Sequence, residues 1–112
     1  MAFLKKSETV LKQEGISIGE FDISVEGLYR NVLTIPFKVK RNRSLYIDVA
    51  ADPSVDVAVA NDKGSGIFSK QNISKSNLGP IPTGESKEMG LILGVYPGDK
   101  AIVDIKIRME KE

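Results

Sequence analysis

The sequence predicts an all-β chain, an antiparallel β-sandwich of about seven or eight strands with a short N-terminal helix, and three observations carry that prediction. Leu45, Ile47 and Val49, then Val55, Val57 and Val59, alternate with polar or small residues on either side of Asp52-Pro53-Ser54, which is the pattern of half-buried strands. Residues 33–39 and 89–107 repeat that two-residue period. Only the first residues, 1–14, depart from it toward a period of three to four.

Taken in order, Phe3, Leu4, Val10 and Leu11 recur at helical spacing, and Gly15 stands where a left-handed helix cap would. Residues 1–14 are therefore expected to be an amphipathic helix, and residues 15–112 a single β-sandwich domain. A stripe so narrow cannot hold a helix alone, so it needs a sheet, a second copy or a lipid surface beneath it. Phe21, Ile23 and Val25 alternate with Asp22, Ser24 and Glu26, which predicts a first strand.

Leu33, Ile35, Phe37 and Val39 predict a second strand, and Pro36, which has no amide hydrogen to give, predicts that it lies at an edge or turns Pro36 toward an unpaired side. Residues facing each other in a ladder share a face, so Val39 opposite Leu45 and Phe37 opposite Ile47 would close a hairpin through KRNRS. The segment at 50–54 allows either a second hairpin or a corner.

Residues 61–88 hold many glycines and prolines and few alternating apolar residues, which predicts a long loop with short strands near 67–69 and 78–81. Met89, Leu91, Leu93 and Val95 then lead through Tyr96-Pro97-Gly98-Asp99 to Ala101, Val103, Ile105 and Ile107, the pattern of a terminal hairpin. Ile92 and Ile102 break the alternation on its outer side, which predicts a central position, or contact with the helix or a partner.

The runs TIPFKVKRNRSLYIDVAADPSVDVAVANDKG and IPTGESKEMGLILGVYPGDKAIVDIKI resemble the GOLD (Golgi dynamics) family of β-sandwich domains, over about residues 30–109. The resemblance implies a compact sandwich that binds proteins or lipids and has no catalytic residues. The chain shows none of the paired cysteines, coiled coil or membrane helix of the cargo-receptor members, so their trafficking role is not implied.

Composition narrows the chemistry. At 112 residues and 41% hydrophobic, the chain can build one core. With no His, Cys or Trp, zinc sites and Ser-His or Cys-His mechanisms are excluded, and no disulfide can form. The 16 basic and 15 acidic residues leave a net charge of +1, which removes any whole-molecule attraction to nucleic acid or anionic membrane.

Local features remain. Lys38, Lys40, Arg41 and Arg43 form a basic turn that could meet an anionic partner, but with no interleaved aromatic it reads first as an edge protected by like charge. Asp48, Asp52 and Asp56 could form an acid pair or calcium site, but read first as a solvated face and a Pro turn. Asn61 to Gly66 lacks the alternating acids of a calcium loop and the Gly-Lys-Ser/Thr ending of a phosphate loop.

The function expected is that of a non-enzymatic protein-interaction or assembly module, self-associating as a homodimer through Phe3, Leu4, Val10, Leu11, Ile92 and Ile102. No cofactor or metal is expected, and neither nucleic acid nor membrane is the expected partner. The alternative is a sandwich binding a lipid or carbohydrate with its 61–88 loop. No segment resembles a signal peptide, so the expected location is cytoplasmic.

Overall fold

The computed structural model describes residues 7–19, 31–96 and 98–111. Six strands are present there, β1 (Ser7–Gly19), β2 (Val32–Lys38), β3 (Arg43–Ala60), β4 (Gly66–Pro82), β5 (Glu88–Gly94) and β6 (Lys100–Lys111). All pairings are antiparallel, in the order β1-β6-β3-β5-β2, with β4 on β3.

β3, 18 residues long, organises the sheet because its two halves have different neighbours. Its first half pairs with β6, from Arg43 opposite Lys111 to Asp52 opposite Ile102. Its second half pairs with β5, from Asp56 opposite Gly94 to Ala60 opposite Gly90. β4 runs beside both halves. The changeover lies at Asp52-Pro53-Ser54, where the peptide before Pro53 is cis and the β3–β4 register shifts between Ala50 and Val55. One strand thus belongs to two arms, a β6 arm with β1 and a β5 arm with β2.

Both runs of alternating residues in β3 face the same core. Leu45, Ile47, Val49, Val55, Val57 and Val59 are all buried, joined by Ile35 and Phe37 of β2, Leu91 and Leu93 of β5, and Val103, Ile105 and Ile107 of β6. A sheet curled with its apolar face inward removes that surface from water without a second layer.

The sandwich expectation is thereby corrected. The described strands form one six-stranded antiparallel sheet curled into a half-barrel, because β3 continues through its corner as a strand and keeps β5 and β6 on a single ladder network. The expected hairpins are corrected with it: β2 pairs with β5 instead of β3, and β5 and β6 each pair with β3 instead of with one another. Parity permitted those hairpins but could not choose between ladders of equal parity.

The N-terminal helix is also corrected. Residues 7–14 belong to β1, which pairs with β6 from Ser7 opposite Glu110 to Gly19 opposite Lys100. Register shifts between Thr9 and Leu11 and between Gln13 and Ile16 place neighbouring Val10 and Leu11 both against the core, and this mimics helical spacing. Gly15, with φ 65°, serves the second irregularity instead of a helix cap, and its amide donates to Asp104 Oδ1 at 2.8 Å. The expected strand at Phe21, Ile23 and Val25 lies outside the described residues.

Most of the expected 61–88 loop is β4. Its inward residues, Phe68, Ile73, Leu78 and Ile81, are spaced unevenly because the register with β3 slips repeatedly, which hides the two-residue period. β2 ends the strand order, as Pro36 predicted, with β5 its one ladder partner among the described residues. No helix among the described residues is long and apolar enough to cross a membrane.

Candidate interaction surface

The basic turn is held firmly by the loop that follows β4. The buried Thr83 hydroxyl accepts from Arg43 N at 2.9 Å and donates to the Lys40 carbonyl at 2.7 Å, while Asn42 N donates to Gly84 O and Val39 N to Lys87 O. The four cations are spread and partly neutralised. Lys38 stands opposite Glu88, Lys40 lies 3.7 Å from Glu8, and Arg43 turns back to donate to the Arg41 and Asn42 carbonyls. Arg41 is exposed at the tip. Interleaved acids weaken the turn as a site for a polyanion.

The acidic residues are not gathered. Asp48 stands on the outer face of the β6 arm, accepting from the Asn77 side-chain amide, whereas Asp56 lies beyond the corner and accepts from Asn72 N at 2.9 Å. Asp52 is exposed at the corner itself. No group of three or more acidic side chains able to hold a metal occurs among the described residues. Asn61 Oδ1 accepts from Lys63 N and Ser65 N, which closes the β3–β4 turn internally.

The expected self-association residues are divided by the topology. Phe3 and Leu4 lie outside the described residues. Val10 and Leu11 pack against the chain's own core. Ile102 is exposed on the β6 arm between Ser17 and Asp52, while Ile92 lies on the β5 arm between Thr34 and Ala58. The two isoleucines therefore do not form one patch.

Setting the outward residues of each arm side by side brings out a contrast. Across the β6 arm they read Lys12, Lys106, Asp48 and Asn77 in one row, and Asp104, Ala50 and Lys75 in the next. Arg108 lies over the Tyr46 ring at 5.6 Å and pairs with Glu110 at 3.1 Å. An open depression of about 450 Å³ floored by Ala50 is walled by these charged side chains.

Across the β5 arm the rows read Pro36, Gly90, Ala60 and Gly66, then Thr34, Ile92, Ala58 and Ser69, then Val32, Gly94 and Asp56. Asp56 is the one ionisable residue in those rows. Val32 is 55% exposed, and Tyr96, just past the end of β5, is 65% exposed. A depression of about 550 Å³ runs between Val32 and Ala58 over Gly94, beside Ile92. Lys38 and Glu88 close the far end of the face.

This uncharged face was missed in the sequence because it needs the β2-β5-β3 order to assemble. Its signal was nonetheless present: apart from Asp56, the outward residues of residues 32–36, 56–60 and 90–94 are small or uncharged, whereas those of 46–50 and 104–108 are charged or polar but for Ala50. At about 4.8 Å between strands and about 6.8 Å between successive outward residues, four strands and three rows cover about 400 Å². A face of that size is within the range of the largest patch on an ordinary monomer, which is often functional.

No family model matches the chain, and no curated protein matches it.

Proposed function

We propose that the chain is a non-enzymatic protein-interaction or assembly module that meets its partner through the outer face of the β5 arm. The observation that supports this most is the contrast between the arms: the same sheet carries a dense mixture of charges on one outer face, while on the other Asp56 and Lys70 flank a stretch of small and apolar residues that ends at Lys38 and Glu88. A solvated sheet face gains from charge, and a face that lacks it favours burial against another protein. The absence of His and Cys, and carboxylates that are spread apart or bonded to amides, supports a non-enzymatic role.

The GOLD-like resemblance agrees with a binding role and belongs to the same proposal, as does a cytoplasmic location, which the lack of cysteine suits. The lipid or carbohydrate reading has less support, since residues 66–82, most of the loop it relied on, are strand.

A photo-crosslinking residue placed at Ala58 in the expressed protein tests the proposal, with the same residue at Ala50 as the control. Protein adducts from Ala58 and not from Ala50 are expected. Adducts from neither position, or from Ala50 alone, would refute it.

A further inference from the structure

We propose that the partner on the β5-arm face is a second copy of this chain, packed about a two-fold axis that seats Ile92 of each copy over Gly94 of the other. This rests on the reading of that face as a docking surface.

The face is built to fit itself. Along the outer side of β5 the residues are Glu88 at its start, then Gly90, Ile92 and Gly94, and past Glu88 one side chain stands between two positions without any. Among the described residues, a Cβ at Gly94 would meet only Asn31 O, at 3.8 Å. Val32 on β2 and Asp56 on β3 flank it.

When two identical sheets meet face to face about a two-fold axis lying in the interface across the strands, positions along a strand are reversed. An axis midway between Ile92 and Gly94 therefore sets each Ile92 over the partner's Gly94. The same operation sets Val32 over the partner's Thr34 and Ala58 over the partner's Asp56, and carries the exposed Tyr96 toward the partner's Gly90. Projections meet gaps along the whole of β5, which is the fit that close sheet packing needs.

Charge points to the same occupant. A two-fold interface sets a patch against its own image, so a face rich in one sign repels itself. The β5-arm rows hold Asp56, whose Oδ1 is engaged by Asn72 N, and the exposed Lys70 lines the same depression, so the face carries one charge of each sign. The reversal also brings each Asp56 over a neutral residue instead of over the other Asp56.

The area sets the strength. About 400 Å² per copy is half of the roughly 800 Å² that each partner gives to a stable standard interface, so the dimer forms and dissociates with concentration and is not permanent.

Sedimentation equilibrium on the purified full chain tests the proposal, with circular dichroism to verify each variant's fold. The wild type is expected to pass from monomer to dimer as concentration rises from micromolar to millimolar. Gly94→Ile, which fills the gap while facing open space in the monomer, is expected to abolish the dimer, and Ile92→Lys to do the same. The double variant Ile92→Ala with Gly94→Ile exchanges projection and gap, and is expected to regain dimerisation.

A folded wild type that stays monomeric overturns the proposal, whether its face is bare or covered by the chain's own remaining residues. A dimer indifferent to Gly94→Ile and Ile92→Lys also overturns it, since the contact then lies elsewhere. In either case crosslinking from Ala58 to a different protein leaves the docking face standing, whereas no adduct from Ala58 removes both.

Discussion

Ile47→Ala tests whether β3 holds the core as its register requires. Ile47 is fully buried, and its ladder partners on the two sides, Leu78 of β4 and Ile107 of β6, are buried as well. Truncation removes Cγ1, Cγ2 and Cδ1, and at about 0.8 kcal/mol per buried carbon the transfer loss is about 2.4 kcal/mol. The neighbours are strand residues held from both sides, so the site collapses poorly. A cavity cost of about 24 cal/mol per Å³ then brings the total to roughly 3–4 kcal/mol.

Urea unfolding followed by circular dichroism reads this out. With a slope of about 1–3 kcal/mol per molar, the midpoint should fall by roughly 1–4 M. Ala58→Ser, one strand position from buried Val57 but facing outward, should change stability by no more than about 0.5 kcal/mol. A loss below about 0.5 kcal/mol for Ile47→Ala would refute the assignment of inward and outward faces on β3.

Further outcomes follow from particular contacts. Thr83→Val removes the hydroxyl that serves both Arg43 N and the Lys40 carbonyl, and should cost about 1–3 kcal/mol in the same urea assay, with no loss if water replaces both bonds. Gly19→Ala should be far more damaging than Gly15→Ala. Both have positive φ, but a Cβ at residue 19 would overlap the Asp99 carbonyl whereas residue 15 faces open space, so equal midpoints would contradict the described approach of β1 to residues 99–100. The basic turn should not bind duplex DNA or anionic vesicles at physiological salt, because acids are interleaved with its cations. Salt-sensitive binding that vanishes in the double variant Arg41→Glu with Arg43→Glu would contradict this.

The strands with an even period were legible in the sequence, and the strands with register slips were not. In β3, β5 and β6 the inward residues fall at every second position, and the sequence alone places Leu45, Ile47, Val57, Leu91 and Ile105 on the core side, where they are. β1 and β4 pair through ladders that slip, so Val10 and Leu11 have the spacing of a helix stripe, and in residues 66–82 the sequence shows only the short strands near 67–69 and 78–81 and not the continuous strand that joins them.

Partner choice was hidden for a different reason. Parity fixes which face a residue takes but not which strand lies beside it, and β3 divides its ladder between β6 and β5 at a corner whose geometry is tertiary. The candidate surface inherited that gap. Ile92 was singled out from its break in alternation, but its neighbours Ala58, Gly94 and Val32 come from three strands that only the true order brings together.

The measurement that bears most directly on the account is a concentration series of amide NMR spectra on the wild-type chain, from micromolar to millimolar. Shifts that change together and saturate at residues 32–36, 56–60 and 90–96, with residues 48–50, 75–77 and 104–106 unmoved, are the predicted result. Changes centred on the charged β6-arm face, or spectra that do not change across the range, would contradict it.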